Sequence, residues 1–253
     1  MAPIPGRNPF TSHHGQLFEA WRAAQVGLGA VLRFEKYAEM SREAFGQGLR
    51  SHTSLEHSHS VTLLARIMVH RCRPYLAAPF DEMLLTDAVL VHDHGEGYIG
   101  EDTAYLDKNA EKDLAEYLAF CQAYESLGSI WTHLHRAFLL QFALKNPSNF
   151  PFDARIIMAE LASVNYMEAR MFQAVERFDY LLYPYEHYER DGNPWPLVWT
   201  LRNQAKHLDR LAAETPEEGG LPGFRQEFWT PEISSWWRRW LEQFEGQHIE
   251  QSG

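Results

Sequence analysis

The stretch Val91-His92-Asp93-His94-Gly95-Glu96 crowds imidazoles and carboxylates together, side chains that can bind a divalent ion or move a proton. With 13 His in 253 residues, a single His-Asp pair is close to chance, so its surroundings decide what it is worth. In the run 55–70, Val61, Leu64, Ala65 and Met68 form an apolar stripe at helical spacing, and His57 precedes Val61 by four on the same face. His57 is expected to point inward, whereas His59 and His70 fall on other faces. His92 follows Ala88 by four and Val89 by three and so ends a second stripe. Asp93 is turned from it by about 100°, yet adjacent ligands at a helix end can converge on one ion beside that end. Glu160 follows Ile156 and Ile157 by four and three and precedes Val164 by four, which predicts a carboxylate inside a core stripe. A buried charge is normally paired, protonated or bound to metal.

Together His57, His92, Asp93 and Glu160 make an N2O2 set suited to a six-coordinate Mn, Fe, Co, Ni or Mg ion, and less to a closed zinc site. Open positions on such an ion can take a phosphate oxygen and a water of lowered pKa. Glu96, four after His92 and three after Asp93, could orient or deprotonate that water.

Apolar residues recur at helical spacing along almost the whole chain, which predicts an all-α fold with helices over 15–46, 54–73, 81–95, 109–126, 129–145, 153–178, 196–213 and 231–246. Ser54 and Ser129 are the expected caps of the second and fifth. The expected organisation is a helical core over 1–180 and a Trp/Pro-rich C-terminal extension or lid over 181–253, within the same domain. Six of the eight Trp lie between Trp195 and Trp240. Their rings would pack the last helix onto the core or a second subunit, or else stack on a nucleobase.

A formal net charge of -11 repels nucleic-acid polymers and anionic membranes on average, and no Lys/Arg run offers a local exception. The opening MAPIPGRNPF lacks a basic start and an apolar core, and no apolar run is long enough to span a bilayer, so a cytoplasmic protein is expected. Cys72 and Cys121 lack paired spacing and read as reduced core residues.

The order Glu56-His57-Ser58, then His92-Asp93 followed by Glu96, then an acidic residue in an apolar helix, resembles the HD-domain metal-dependent phosphohydrolases. Within them it is most similar to the bacterial HD-domain 5'-deoxynucleotidases, over about 42–170. The resemblance implies an HD-type helical bundle and one divalent ion (Mn, Co, Mg, Fe, Ni or Zn) on His57, His92, Asp93 and Glu160. It also implies catalytic roles for Asp93 and Glu96, and a nucleotide substrate met by Arg42, Arg50, Asp102 and Lys108. An arginine suits the phosphate because its planar fork matches two oxygens.

This chain departs from the family in having Glu160 where the family has Asp, with Asp153 as the substitute ligand. It has Glu43 beside Arg42 where the family has a Trp that disfavours a ribose 2'-hydroxyl, and "GEDTAYLDK" lacks the family's prolines. The expected activity is release of phosphate from (deoxy)nucleoside 5'-monophosphates, with triphosphohydrolysis as the alternative. A di-iron oxygenase would need further ligands from His94, His133 or His135, and the last two, two apart on one helix, cannot both face inward. A helical binding module without catalysis is the remaining reading. Antiparallel helices and the aromatic tail suit a homodimer or higher homo-oligomer.

Overall fold

A computed structural model describes residues 22–76, 79–101, 107–145 and 147–251. The chain enters through a helical segment, Ala23–Gly27 and Leu28–Ala30, followed by a two-residue strand β1 (Leu32–Arg33) and helix α1 (Glu35–Phe45). The described part of the helix expected over 15–46 is thus interrupted. Phe34 between β1 and α1 takes a left-handed conformation, φ 65°, which a helix cannot contain. Strand β2 (His52–Thr53) pairs antiparallel with β1, Arg33 opposite His52. This ribbon is the only sheet among the described residues; the rest of the regular structure is helical, and the fold class is all-α.

Helix α2 (Ser54–Cys72) follows directly. Its cap is Thr53 rather than Ser54: the Thr53 hydroxyl accepts from the Glu56 amide at 3.2 Å, and Glu56 Oε2 accepts from the Thr53 amide at 2.8 Å. This reciprocal box sets the register that buries His57, Val61, Leu64, Ala65, Met68 and Cys72 on one face. Helix α3 (Glu82–Val91) is capped by the Asp81 side chain. It stops at Val91, and a new helix α4 (His94–Ile99) begins after Asp93, so the single helix expected over 81–95 is broken at the His92-Asp93 pair.

Helices α5 (Ala110–Tyr124) and α6 (Ser129–Leu140) stack Phe120 on Phe138 at 4.1 Å in the centre of the core. Ser129 is not the cap of α6; that position falls on Gly128, which makes no side-chain bond. Helix α7 (Phe152–Val164) leads into α8 (Tyr166–Asp191), a 26-residue helix that contains Pro184. The boundary expected near 180 therefore falls inside one helix, and residues after it share the core. Leu197, Leu201, Leu208 and Leu211 of α9 (Trp195–Leu211) are buried with Met68, Leu85 and Phe172. Full burial of each such side chain contributes about 1.5–3 kcal/mol.

A short helix α10 (Phe224–Glu227) and the terminal α11 (Pro231–Gln251) complete the chain. Trp237 and Trp240 of α11 meet Tyr185 and Tyr188 of α8 edge-on at 5.5 and 5.3 Å. The aromatic tail is thus a packing device on α8, with Trp236 left half exposed. Both cysteines are free. Among the described residues no helix is long and apolar enough to cross a membrane.

Candidate metal centre

Three elements bring the site together. The break between α3 and α4 resolves the angular problem of adjacent ligands. Asp93 has φ -92°, ψ 3°, so the chain turns after His92 and both side chains face the first turn of α2. The turn needs close packing behind it. A Cβ added to Gly95 would lie 2.3 Å from the Glu116 carbonyl oxygen, and one on Gly97 2.7 Å from the Leu28 side chain. Glycine at both positions lets α4 sit directly on α5 and on the entering segment.

His92 Nδ1 lies 2.8 Å from the Val89 carbonyl oxygen, an acceptor only, so Nδ1 donates and Nε2 is left for the cluster. His57 is held in a similar way, with Nδ1 3.1 Å from Asp179 Oδ2. The two Nε2 atoms face each other at 3.3 Å. Glu176 Oε1, from α8, is 3.3 Å from His92 Nε2 and 3.8 Å from His57 Nε2. Asp93 closes the group from the other side, with Oδ1 3.1 Å from His92 Nε2 and Oδ2 3.6 Å from His57 Nε2.

These separations test whether an ion fits. Two ligands each about 2.1 Å from one ion, at angles of about 90–109°, lie roughly 3.0–3.4 Å apart. The observed distances cluster around that range. Glu176 Oε1 is buried without a hydrogen-bond partner, as an oxygen reserved for a cation would be. His57, His92 and Glu176 form a group that could hold a metal ion.

Charges beside the group are arranged in pairs. The Arg33 guanidinium, carried by β1 and buried, bonds Asp93 Oδ2 and lies 3.9 Å from Glu96 Oε2. Burial alone would push the Asp93 carboxyl up; Arg33, then His92 and His57, overcome this and hold it well below the usual carboxylate range. Burial and the neighbouring Asp93 push Glu96 well above its ordinary value. Lys108 Nζ stands 3.5 Å from Glu96 and 3.4 Å from Glu116. Burial works against its charge, but Glu96, Glu116 and Asp93 raise it well above an ordinary lysine. For His57, burial and Arg33 act to lower the value, and Asp179 and Asp93 outweigh them and raise it. Carboxylates thus exceed fixed cations around His57, a balance that favours a bound cation at the group.

Of the residues expected from sequence, the structure brings together His57, His92, Asp93, Glu96 and Lys108. It does not bring Glu160, which is half exposed on α7 and pairs with Arg136 at 3.0 Å. The face that α7 buries is Ala154, Met158 and Leu161, one residue step from the expected stripe, while Ile156 and Val164 are exposed. Asp153 is exposed too. Arg42 lies exposed against Gly48, and Arg50 lines a separate cleft. Asp102 lies outside the described residues. His94 bonds the Tyr124 hydroxyl, His133 pairs with Asp87 and His135 meets Tyr117, so none of the three reaches the cluster.

Sequence reasoning missed Glu176, Asp179, Arg33 and Glu116. The signal for the first two was present: Glu176 follows Phe172 by four and Ala169 by seven, a carboxylate on an apolar helical face, and Asp179 follows Val175 by four. Arg33 carried no comparable signal, because a two-residue strand has no periodicity.

Compared with known proteins, the chain matches no family model, no curated protein and no solved structure.

Proposed function

We propose that the chain is a metal-dependent nucleotide phosphohydrolase that releases phosphate from (deoxy)nucleoside 5'-monophosphates. The observation that carries this reading is the convergence of His57 Nε2, His92 Nε2 and Glu176 Oε1, with Asp93 alongside and two cationic side chains nearby, Arg33 on Asp93 and Lys108 on the neighbouring Glu96. A seat for a cation flanked by fixed positive charge suits a substrate that brings several negative oxygens.

The resemblance to the HD-domain phosphohydrolases supports it as well, since its first His, its His-Asp pair and its following Glu are among the clustered residues. In this reading the family's last acidic ligand corresponds to Glu176 instead of Glu160. Its upstream arginine corresponds to Arg33, followed by the aromatic Phe34, instead of Arg42 followed by Glu43.

His57, His92, Asp93 and Glu176 would hold a divalent ion, which when bound would supply Lewis acidity toward a phosphate oxygen and lower the pKa of a water. The remaining work falls to side chains. Arg33, between Asp93 and Glu96, offers donors to the phosphate and balances charge as the substrate enters. Glu96 Oε2, buried without a hydrogen-bond partner, orients the attacking water and takes its proton. Lys108 holds Glu96 in place and compensates the charge that builds on the phosphoryl group. The water oxygen bonds phosphorus as the bond to the 5' oxygen breaks, and the proton that Glu96 took from the water passes to that oxygen, which leaves as the hydroxyl of free nucleoside.

The test is product-resolved hydrolysis of ribo- and deoxynucleoside mono- and triphosphates with Mn, Co, Mg or chelator. Metal-dependent orthophosphate and nucleoside from monophosphates is the expected result. Tripolyphosphate from triphosphates would move the assignment to a triphosphohydrolase. Metal-loaded protein that turns over none of these nucleotides would refute the proposal.

A further inference from the structure

The packing of α5 does not by itself account for Glu116. The face that this helix buries runs through Asp113, Glu116, Tyr117, Phe120 and Tyr124. An apolar side chain at 116 would serve the core at least as well, because burying a carboxylate is costly unless it is paired. Glu116 is buried, and neither of its oxygens has a hydrogen-bond partner. It pairs with Lys108, whose Nζ stands 3.4 Å from Glu116 Oε2 and 3.5 Å from Glu96 Oε1. A closed charge-assisted bond is about 2.7–2.9 Å long, so the ammonium is closed on neither carboxylate and is shared between them.

The fold builds this arrangement from both sides. Asn109 caps α5, accepting from the Glu111 and Lys112 amides at 3.0 and 3.1 Å, which fixes the backbone next to Lys108. Gly95 lets α4 press on the Glu116 carbonyl, and this contact brings Glu96 and Glu116 within reach of one Nζ. A lysine carries its charge on a flexible four-carbon stem, so the anions around Nζ decide where the charge rests. The other Glu96 oxygen, Oε2, is buried without a hydrogen-bond partner.

We propose that Glu116 is a positioning residue: it shares the Lys108 ammonium and so keeps that charge from closing on Glu96, which leaves Glu96 able to take a proton from water. A carboxylate in a closed ion pair is a weaker base, because the adjacent cation favours its charged form. The role in turnover rests on the hydrolase reading; the sharing of Lys108 does not, and the two are tested separately.

The first measurement needs no activity. The Lys108 side chain is 26% exposed, enough for a succinimidyl ester to reach it, and its acylation in the metal-free full chain is followed by peptide mass spectrometry. Glu116→Gln and Glu96→Gln should each speed the reaction by about tenfold, the equivalent of one pKa unit on the amine. Glu125→Gln, exposed beyond the far end of α5, should react as wild type. An ammonium held by Glu96 alone would respond to Glu96→Gln only, and that result would overturn the proposal.

The second measurement is steady-state hydrolysis by the metal-loaded chain. Glu116→Gln should lower kcat at least about tenfold with KM within about twofold. In a Lys108→Met background the same substitution should change kcat by less than about twofold, whereas a merely structural effect would add in full. An unchanged kcat in Glu116→Gln, or full additivity, would overturn the turnover role. A wild-type protein that hydrolyses no nucleotide would refute the hydrolase reading and the turnover role with it, and the acylation rates would still decide the sharing of Lys108.

Discussion

Replacing Glu176 by Gln keeps the shape of the side chain and removes its charge from the metal group. Its Oε1 lies 3.3 and 3.8 Å from the two imidazole Nε2 atoms, close to the edge of a coordination polyhedron. Structural zinc sites bind with about 10–16 kcal/mol shared among four ligands, or roughly 2.5–4 kcal/mol for each. Losing one such ligand should therefore weaken metal binding by about two to three orders of magnitude.

The matched control is Glu160→Gln, which removes a charge of the same kind from an exposed ion pair with Arg136. Surface pairs of that type contribute about 0–1 kcal/mol to stability, and the metal affinity should not move. The assay is competition for Mn or Co between the protein and a chromophoric chelator, with metal per chain measured after dialysis. Wild-type affinity in Glu176→Gln, or an equal loss in Glu160→Gln, would refute the assignment of the last ligand to α8.

Arg33→Met should destabilise the metal-free protein by about 3–5 kcal/mol in urea, because it leaves Asp93 buried and unpaired; saturating divalent metal should return part of that loss, and an unchanged midpoint would count against the pair. Gly95→Ala places a methyl 2.3 Å from the Glu116 carbonyl, a backbone atom that cannot swing aside, so a loss of about 1–3 kcal/mol is expected by denaturant titration. Burial pushes the Cys72 thiol up to about 12 from an ordinary 9.0. Its folded value lies above its unfolded one, so the folded state keeps a proton that the unfolded state releases. The associated stability is complete below about pH 9 and lost on the way to pH 12, by at most about 1.4 kcal/mol per pH unit. Urea unfolding of wild type against Cys72→Ala between pH 8.5 and 10.5 should show that slope in the difference; a flat difference would contradict it.

How much of this could be read in advance depended on periodicity. His57 and His92 were legible because each closes an apolar stripe on a helix that the structure contains, and the same argument placed Glu96 one turn beyond His92. Glu160 failed because α7 is an outer helix with Ile156 and Val164 exposed, and a helix with apolar residues on several faces does not declare which one is buried. The break at His92-Asp93 left little trace in composition. Its cause is the contact of Gly95 with α5, a tertiary event that local pattern cannot contain. Arg33 and Phe34 were hidden in what looked like one long helix, and their positions depend on a strand pair and a left-handed residue stacked 4.7 Å from Tyr183.

Helix α8 carries both Glu176 and Asp179, and it lies far along the chain from His57, His92 and Asp93. During synthesis the early residues leave the ribosome first, and about 80 further residues, at about 5–20 per second, separate Asp93 from its partners on α8 by on the order of 4–16 s. Throughout that interval the two imidazoles lack both the carboxylate that completes their group and the one that fixes the His57 ring. A metal bound by this group would therefore be captured late in folding, and a chain truncated before α8 should emerge as a weak, unselective chelator with no centre of its own.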